Sequence, residues 1–592
     1  MNRIKRAEFL KLGTLAALAP LYIDFFSDTT TNTGKNDRDE IDLLNRLNTA
    51  NDAQVALLLE SVREGNLRFS RKIGYDIAVL SASWCSPGSK YFHDASLISK
   101  LNLLIRFLSD SQSADGTVNT GNLESPPDTA FIIEIIAPAA HILSKDGSGE
   151  LAGTTNNLKN VIVKAAEALT TGGAHTPNHR WVICAALSQV NALYPNKKYV
   201  ARVENWLAER IFMDSEGHYP ERSSNYSAVE NNSLITIARL LNKPSLLQYV
   251  RKNLEMTYYY METNGDLVVA DSRRQDQYTG KSIVSFYHYY RYMAIKDNNK
   301  FFAAIARMIG SMDGFKEEVL DRSLFIFLEN TLLQKELPTP APLPINYEKL
   351  FTTSHLLRIR RSNTTATLFG GIDWPIIIAS GRSNSPNFFS YRKGNAIMKY
   401  LRLSSGFFSM GYFYSEGLKK DGNKYILHKK LEVPYYQPLP KDKRNSTGDY
   451  KLSPSIDDRF WNKMDFRNRP VSNVKTLETV ITFIETNGSV ELNFHVRGLK
   501  DVPVTIELCF LEGGTLSGVS ASKDDNNFLE KGFGEYQHGN DTIRFGPGLV
   551  AHRSINGLEG ERYSTHFGSL RTEGMHVYLT GITPFNHTMV FN

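Results

Sequence analysis

Apolar residues recur with a helical period through the first half of the chain. Between about residues 40 and 336 they return every three or four positions, in segments of roughly ten to eighteen residues. Leu97, Leu101, Leu104, Ile105 and Leu108, for example, would lie on one face of a helix. Short polar turns rich in Gly, Asn, Asp and Pro separate about ten to twelve of these segments. The pattern predicts a toroid of helical hairpins, an (α/α) toroid, over residues 40–336, with an open solenoid as the alternative.

The period changes from helical to strand-like after a proline-rich stretch. Leu337 to Pro344 carries prolines at alternate positions, which forbid a helix and favour a stiff, extended connection. We therefore place a linker at residues 337–348 and an antiparallel β-sandwich domain at residues 349–592. Residues 419–473 are polar and contain several prolines, so they are predicted to be a long, irregular insertion. The predicted strands are residues 355–360, 365–369, 376–380, 397–403, 479–485, 490–496, 504–510, 542–545 and 576–580.

The N-terminal residues have the pattern of an export signal. Lys5 and Arg6 precede the apolar run from Leu12 to Leu21, which is too short to span a bilayer stably. The pattern resembles a twin-arginine signal in which Lys5 replaces the first arginine. We predict an export signal over residues 1–26 and a disordered spacer over residues 27–39, with a buried N-terminal helix as the alternative. The mature protein would then be periplasmic or secreted, with no stable membrane span.

Length, charge and cysteine content narrow the classes of function. A chain of 592 residues exceeds what one core usually supports, so two or three domains are expected. The formal net charge is +6, and Lys and Arg are dispersed among Asp and Glu, which argues against a nucleic-acid-binding protein. The positive balance favours an anionic ligand. Cys85, Cys184 and Cys509 lie far apart in the sequence and lack the spacing of a zinc site.

Two polar, aromatic-rich turns each run directly into an apolar helical segment. Residues 176–181 read Thr-Pro-Asn-His-Arg-Trp, and residues 219–227 read Tyr-Pro-Glu-Arg-Ser-Ser-Asn-Tyr-Ser. Together they supply an amide, an imidazole, a guanidinium and a phenol, which are the groups needed to remove a proton next to a carboxylate. We predict that the two turns face each other across one cleft.

These two turns resemble the motifs of polysaccharide lyases of the alginate lyase and heparinase II/III-like type. Such enzymes carry an Asn-His pair at the start of one helix, matched here by Asn178 and His179. Further along they carry a Glu/Arg-rich turn that ends in a catalytic Tyr followed by Ser, matched here by residues 221–227. The resemblance implies an (α/α) toroid followed by a β-sandwich, and cleavage of a uronic-acid-containing polysaccharide or oligosaccharide by β-elimination. This chain departs from the pattern at Arg180-Trp181, which follow the His, and in a compacted turn around Arg222.

The chemistry of β-elimination assigns a role to each of four predicted catalytic residues. The C5 proton of a uronate is a very weak acid while the neighbouring carboxylate is charged, and the amide of Asn178 would offset that charge. His179 or Tyr226 would accept the C5 proton, and Tyr226 would donate a proton to the leaving glycosidic oxygen. A cation such as Arg222 would stabilise the phenolate and hold the substrate anion. This chemistry requires neither a metal nor an organic cofactor.

Six further residues are predicted to bind substrate through polar or aromatic contacts: Glu221, Asp128, Arg273, Arg274, Trp181 and Tyr391. In the β-domain, the candidates for a group that reaches into the cleft are Tyr391, Arg392, His552 and His566.

Most of these assignments have a structural alternative. Asn178 and His179 could serve only as a helix cap, and Asp128 could do the same for its own helix. Tyr226 could be an ordinary aromatic residue lining a cleft. Arg222 could pair with Glu221 or Glu230, and the two arginines at 273 and 274 could form a solvated turn.

Two other functions compete with the lyase. A glycoside hydrolase on the same scaffold, similar to β-glucuronidases, would need carboxylic acids, for which the candidates are Glu221, Glu230, Asp271 and Asp276. A non-catalytic glycan-binding protein would use the aromatic residues of segments 258–260 and 286–292 for stacking, although buried core is the usual role of such residues. The sequence leaves open which polymer is bound and whether the protein is a homodimer.

Overall fold

The computed structural model divides the chain into two compact units. Unit 1 comprises the chain up to Ile211, Val229–Val250 and Phe286–Pro340, and unit 2 comprises Phe212–Ala228, Arg251–Ser285 and Ala341–Asn592. The break between Pro340 and Ala341 falls within the stretch for which the sequence predicts a linker. The described residues are 41–68, 71–118, 124–274, 276, 281–371, 373, 377–378, 381–382, 385–453, 464–521, 526–555 and 573–592. The predicted export signal and spacer lie outside them.

The predicted helical character of residues 40–336 is confirmed. Thirteen α-helices lie in this part of the described chain: α1 Ile41–Ser61, α2 Lys72–Cys85, α3 Ser96–Asp110, α4 Pro126–Ser144, α5 Ala152–Thr171, α6 Pro177–Leu193, α7 Lys197–Ala208, α8 Ser224–Leu240, α9 Leu247–Tyr260, α10 Tyr287–Asp297, α11 Lys300–Gly310, α12 Phe315–Glu318 and α13 Leu324–Glu329. The division between the two units falls inside α8 and α9. Among the helices described, none combines the length and the apolar character that a bilayer crossing needs.

Burial separates the helices of unit 1 into two kinds. In α2, α4 and α6 most residues are buried whichever way they point, whereas α3 is buried only along the stripe of Leu97, Leu101, Leu104, Ile105 and Leu108. Helix α4 packs against both α2 and α6, while α3 packs against α5. The fully buried helices therefore form an inner row, and the amphipathic helices cover them on the outside.

The last helix of unit 1 returns to the first helices of the chain. Helix α13 packs against α1, α2 and α4. Arg239, near the end of α8, donates a hydrogen bond to the buried carboxylate of Glu329 on α13 at 2.7 Å. This closure is what a ring of helical hairpins requires.

Unit 2 is built around two β-sheets. Its strands, in chain order, are β1 Asp266–Leu267, β2 Lys281–Ser282, β3 Asn346–Phe351, β4 Leu356–Arg361, β5 Thr364–Phe369, β6 Ile377–Ile378, β7 Gly381–Arg382, β8 Phe389–Lys393, β9 Ala396–Ser405, β10 Gly411–Tyr412, β11 Leu418–Asp421, β12 Lys424–Tyr436, β13 Val471–Thr486, β14 Ser489–Gly498, β15 Pro503–Phe510, β16 Thr515–Ser517, β17 Ser520–Ala521, β18 Asn527–Phe528, β19 Gly534–His538, β20 Asp541–Gly546, β21 Met575–Ile582 and β22 Phe585–Phe591. One sheet has the order β17-β18-β21-β15-β9-β8-β5-β4-β3, with β10 on β9, and the other has the order β11-β12-β13-β14-β22-β20-β19-β16.

The two sheets pack face to face on one apolar core. Leu401 and Ile506 from the first sheet and Ile481, Phe494 and Met589 from the second belong to the same buried cluster. Within the described residues, every pairing between named strands is antiparallel except that of β18 with β21. The predicted antiparallel β-sandwich is therefore confirmed.

The prediction that residues 419–473 are irregular is wrong for the first part of that segment. Residues 424–436 form β12, which pairs along its whole length with β13. Only Tyr425, Leu427 and Val433 of this strand are buried, so its alternation of apolar and polar residues is weak and Pro434 obscures it further. Pairing with β13, rather than local sequence, makes this segment a strand.

A buried ion pair fixes the 251–285 segment to the sheet within unit 2. The guanidinium of Arg358, on β4, donates to Glu262 at 2.8 Å and to the carbonyl oxygens of Tyr259 and Met261. Glu262 also accepts a hydrogen bond from Thr365 at 2.5 Å. Because Arg358, Glu262 and Thr365 are all buried, the contact fixes the position of the chain that leads to residues 271–274.

Candidate active site

Tyr226 lies in the first turn of α8, at a position set by a helix cap. The Ser223 hydroxyl accepts a hydrogen bond from the backbone N–H of Tyr226 at 3.2 Å, which is the arrangement of an N-cap residue. The same hydroxyl donates to Asp276 at 2.6 Å. Tyr226 itself is half-buried.

The cation beside Tyr226 is Arg274. Its Nη2 donates a hydrogen bond to the Tyr226 hydroxyl at 3.2 Å, and its guanidinium carbon lies 4.3 Å from the centre of the tyrosine ring. Its Nη1 donates to the buried carboxylate of Glu221. Glu221 therefore holds the guanidinium in place beside the phenol oxygen.

Arg222, to which the sequence assigned this role, makes different contacts. Its Nη2 donates to the carbonyl oxygen of Thr353 at 2.7 Å, and its Nη1 lies 3.8 Å from Asp373. Arg273 binds the same Asp373 with two hydrogen bonds of 2.6 and 3.0 Å. The alternative prediction was that Arg222 pairs with Glu221 or Glu230. In the structure its partners are Thr353 and Asp373 instead. The backbone of Arg222 has φ of +48°, which is uncommon for a residue other than glycine.

A chain of buried hydrogen bonds supports the two segments that carry Glu221 and Arg274. His218 contacts Asp214 at 3.0 Å through Nδ1 and the hydroxyl of Tyr260 at 2.7 Å through Nε2. The Tyr260 hydroxyl donates to Asp271 at 2.8 Å. Burial raises the pKa of both Tyr260 and Asp271. Sequence reasoning did not find this network, since its members are separated by long stretches of chain.

Asp214, Glu216 and His218 have the mutual spacing of metal ligands. In this structure the Thr353 hydroxyl lies 2.6 Å from a carboxylate oxygen of each acid and donates its one proton to either of them, and Glu216 also accepts a hydrogen bond from the backbone N–H of Thr352. Against the effect of partial burial, the hydrogen bond and charge of His218 lower the pKa of Asp214, and the hydrogen bonds from Thr353 and Thr352 lower the pKa of Glu216. The group therefore acts as a clamp on the loop at residues 352–353 of the same unit.

The other predicted motif, Asn178-His179, lies in unit 1. Helix α6 begins with Thr176 as its N-cap residue and Pro177 as its first helical residue, so Asn178 is within the first turn and is not the cap. Asn178 is fully buried, whereas His179 is half-buried. The ring of His179 meets the rings of His175 and Phe131 edge-on, at centroid distances of 4.7 and 6.2 Å.

A polar group next to this motif includes Asp128. The Arg71 guanidinium lies 4.2 Å from the centre of the Phe131 ring and donates a hydrogen bond to the Asp128 carboxylate. The cap of α4 is Ser125, whose hydroxyl accepts from the backbone N–H of Asp128 at 3.3 Å. The proposed capping role of Asp128 is thus taken by Ser125, and Asp128 lies in the first turn, where a negative charge is favourable.

Glu134 is an acidic residue of unit 1 that sequence reasoning missed. It lies one helical turn beyond Phe131 on α4 and accepts long hydrogen bonds from Ser233 (3.4 Å) and Asn232 (3.5 Å). Burial raises its pKa from 4.5 to about 8, and these two donors only partly oppose the shift. Burial also raises the pKa of Tyr289, and the charge of Glu134 adds to that effect. A single acid within the apolar run 131–143 was the signal that could have revealed it.

Comparison with solved structures adds the decisive observation about the fold. The chain superimposes on the Streptomyces coelicolor A3 chondroitin AC lyase, solved in complex with chondroitin sulphate, with a TM-score of 0.57 and 11% identity, over 95% of this chain and 80% of that one. It superimposes on heparinase III with a TM-score of 0.56 and 11% identity, over 95% of this chain and 87% of that one. The chain has the fold of polysaccharide lyases.

A third lyase and the sequence comparisons define how far this likeness extends. The Paenibacillus xanthan lyase matches with a TM-score of 0.55 and 10% identity, over 95% of this chain but 58% of the enzyme. No family model matches the sequence, and no curated protein matches it by sequence. The expected (α/α) toroid followed by a β-sandwich is therefore confirmed by structure, with little sequence in common.

Two residues predicted to bind substrate belong to the protein core in this lyase fold. Trp181 is 1% exposed within α6, and Tyr391 is 1% exposed in the sandwich core, where its hydroxyl donates to the carbonyl of Gly488 at 2.8 Å. Neither offers a face to a sugar ring. Their aromatic character reflects packing.

The other β-domain candidates have structural partners or fall outside the described residues. Arg392 pairs with Asp266 at 3.0 Å, and His552 contacts the carbonyl of Val504 at 3.2 Å. His566 lies outside the described residues.

The carboxylates that a hydrolase would need are buried. Glu221, Glu230, Asp271 and Asp276 are each between 1% and 7% exposed. Glu221 is bound by Arg274, Asp271 by Tyr260, and Asp276 by the hydroxyls of Ser223 and Ser272. A glycosidase acid and base must contact the glycosidic oxygen and a water molecule, which these four carboxylates are poorly placed to do.

Proposed function

We propose that the protein is a polysaccharide lyase that cleaves uronic-acid-containing polysaccharides or oligosaccharides by β-elimination. The observation that carries the proposal is the hydrogen bond from Arg274 to Tyr226, made within a chain that has the fold of these enzymes. A half-buried phenol held against a fixed guanidinium is suited to accept and return a proton. The chondroitin sulphate bound by the Streptomyces coelicolor lyase is an anionic polysaccharide of this class.

In the proposed reaction the Tyr226 oxygen, stabilised as a phenolate by Arg274, accepts the proton from C5 of the uronate. The electron pair left at C5 forms the C4–C5 double bond, and the bond from C4 to the glycosidic oxygen breaks. The same phenol, now protonated, returns the proton to the leaving oxygen, so protons and electrons balance. Glu221 takes no part in the proton transfer and serves to orient Arg274.

We assign Asn178 and His179 to the same reaction. Asn178 is 0% exposed, so its amide contacts the uronate carboxylate only if the start of α6 opens when substrate binds; an amide that makes this contact offsets the carboxylate charge and lowers the cost of forming the carbanion at C5. His179 is the alternative acceptor of the C5 proton. The prediction that the two turns face each other stays a prediction, and variants in each turn test it through function.

The decisive experiment follows the ultraviolet absorbance of a 4,5-unsaturated uronate during incubation with chondroitin sulphate, heparan sulfate, alginate and xanthan. We expect absorbance to rise with at least one polymer. Tyr226→Phe should reduce the rate by a factor of about 10² to 10⁴, the usual contribution of a general acid or base. Asn178→Ala and His179→Ala should each reduce it as well, while Trp181→Phe, a core substitution, should leave kcat nearly unchanged.

Two outcomes would overturn the proposal. New reducing ends without the absorbance would show hydrolysis, and full activity in Tyr226→Phe would remove the assigned acid and base.

Export to the periplasm or the medium is part of the proposal and is tested separately. The N-terminal sequence of the protein recovered from the source cells should begin after residue 26. Recovery of the uncleaved chain from the cytoplasm would contradict it.

A further inference from the structure

One end of the second sheet extends beyond its neighbouring strands as a two-stranded arm. Residues 471–475 of β13 pair with β12, whereas the pairing of β13 with β14 begins only at Leu477. On the other side of β12, β11 covers only residues 424–427. Within the described residues, the outer parts of β12 and β13 therefore have each other as their only strand partners. We call residues 433–453 and 464–476 the arm.

The arm is an ordered element with contacts of its own. The ring of Tyr436 packs on that of Phe466 at 4.7 Å, and Leu439 is buried. Ser453 joins the two sides, since its backbone N–H donates to the carbonyl of Met464 and its hydroxyl accepts from the backbone N–H of Arg467. These contacts give the side chains on its outside defined positions.

Exposed apolar side chains are concentrated on the arm. Of the twelve large hydrophobic residues that are exposed in the described chain, five lie on it: Tyr435, Leu452, Met464, Val471 and Val474. Tyr435 is 47% exposed, so much of its ring faces solvent. Exposed apolar groups in such number on one short segment are typical of a binding surface.

The arm also carries cations without matching anions. Five exposed side chains are positive: Lys441, Lys443, Arg444, Lys451 and Arg467. Two exposed carboxylates, Asp442 and Asp449, accompany these cations. Among the described residues of the arm, one ion pair is formed, between Asp442 and Lys443 at 3.5 Å. The third acid, Asp465, is buried and accepts hydrogen bonds from Asn468. Within the described residues, the other four cations of the arm therefore form no ion pair and can bind an external anion.

We propose that the arm is an accessory binding surface for a long anionic polysaccharide, with its cations on carboxylate or sulfate groups and Tyr435 against a sugar ring. The proposal rests on the proposed function for the class of ligand, because a polyanion matches the unpaired cations. Sugar rings present C–H faces that stack on tyrosine, which accounts for exposed aromatic and apolar groups beside the charges. The arm would hold the polymer without taking part in bond cleavage.

The test compares two fourfold variants with the same change in charge. The arm variant is Lys441→Ser/Arg444→Ser/Lys451→Ser/Arg467→Ser. The control variant is Lys296→Ser/Lys300→Ser/Lys500→Ser/Lys531→Ser, which removes four exposed lysines outside the arm. Both are made in the Tyr226→Phe background, so that binding is measured without turnover. Affinity electrophoresis in gels containing chondroitin sulphate or heparan sulfate gives the dissociation constants, with neutral dextran as the reference polymer.

We expect the arm variant to bind the anionic polymers about tenfold more weakly, since several exposed ion pairs each contribute modestly, and the control variant to change by less than about twofold. Equal weakening in both variants would show a general charge effect and overturn the proposal. So would unchanged binding in the arm variant. A change in sedimentation coefficient without a change in binding would show that a second copy of the chain covers the arm, and would also overturn it.

Two further measurements keep the result interpretable. If the fourfold variant does not fold, as judged by circular dichroism, the pairs Lys441→Ser/Arg444→Ser and Lys451→Ser/Arg467→Ser are tested separately, and each should show part of the loss. With wild-type Tyr226, the arm variant should raise KM for polymer but leave kcat and the KM for a tetrasaccharide unchanged. If no lyase activity is found with any polymer, loss of binding in the arm variant alone would still support the arm while refuting the proposed function.

Discussion

Replacing Arg274 with lysine tests the arrangement of Arg274 and Tyr226 most directly. Lysine keeps a positive charge near the buried carboxylate of Glu221, so the fold should be retained. A single ammonium group does not reproduce the planar fork that reaches Glu221 through one nitrogen and Tyr226, at 3.2 Å, through the other. The variant therefore removes the contact with the phenol while leaving the local charge unchanged.

The size of the expected effect follows from that one contact. A hydrogen bond from a charged donor contributes about 1.5–3 kcal/mol. If the bond strengthens as the phenol oxygen becomes negative, its loss should lower kcat by a factor of about 10 to 150. KM should change by less than about threefold, because the interaction counts in the transition state more than in the bound ground state.

The assay is initial rate from the absorbance of the unsaturated product, with circular dichroism melting as the check on folding. Arg222→Lys is the matched control, since Arg222 contacts Thr353 and Asp373 instead of Tyr226. We expect it to lower kcat by less than about threefold. In a Tyr226→Phe background, measured at high enzyme concentration, Arg274→Lys should lower the residual rate by less than about threefold for the same reason.

The reasoning would be refuted if Arg222→Lys caused the larger loss, or if the effects of Arg274→Lys and Tyr226→Phe were simply additive. The first result would return the role to the residue that the sequence motif selected. The second would show that the two side chains act independently despite their contact.

Three further outcomes concern stability and are measured by chemical or thermal denaturation across pH. Because the pKa of Glu134 rises from 4.5 to about 8 on folding, the native state holds a proton that the unfolded state has lost, so stability should fall as pH rises from 4.5 to 8. Glu134→Gln should flatten this slope; an unchanged slope would refute the assignment. Glu262→Ala should destabilise unit 2 by about 3–5 kcal/mol, because it leaves Arg358 buried without its anion; a loss below 1 kcal/mol would contradict this. Burial alone would lower the pKa of His576, but its contacts with the Cys509 sulfur at 3.9 Å and with Glu507 at 2.8 Å raise it to about 9. Its stabilising contribution should therefore be complete below pH 6.5 and lost as pH rises through 9, a dependence that His576→Gln should abolish.

The two-part architecture could be predicted from local pattern because each half has one dominant period. The apolar stripe from Leu97 to Leu108 is compatible only with an amphipathic helix. The prolines from 338 to 344 interrupt any helix that would cross them. The strand at residues 424–436 was not predicted because its alternation of apolar and polar residues is weak. Its partner residues on β13 also lie 35 or more positions away in the chain. Local pattern predicts a strand well only where one of its faces is consistently buried.

The contacts and burial of individual side chains were harder to predict than the secondary structure. The motif pointed to a tyrosine in the first turn of a helix, and the structure shows that the arginine beside this tyrosine comes from a segment 48 residues further on. Trp181 and Tyr391 looked like sugar-binding aromatics, and the fold buries both. Glu134 looked like an ordinary acid in a helix until its surroundings were known.

The amino-acid sequence by itself determined where helices give way to strands, because backbone hydrogen bonding and the period of apolar residues are decided over a few neighbouring positions. It also determined which chemical groups are present in the two turns. Only the tertiary structure decided which guanidinium lies against Tyr226 and which aromatic residues keep a face in solvent. Those properties depend on side chains brought together from distant parts of the chain. The local electrostatic field, the burial and the proton affinity of a side chain follow from its neighbours in space rather than from its neighbours in sequence.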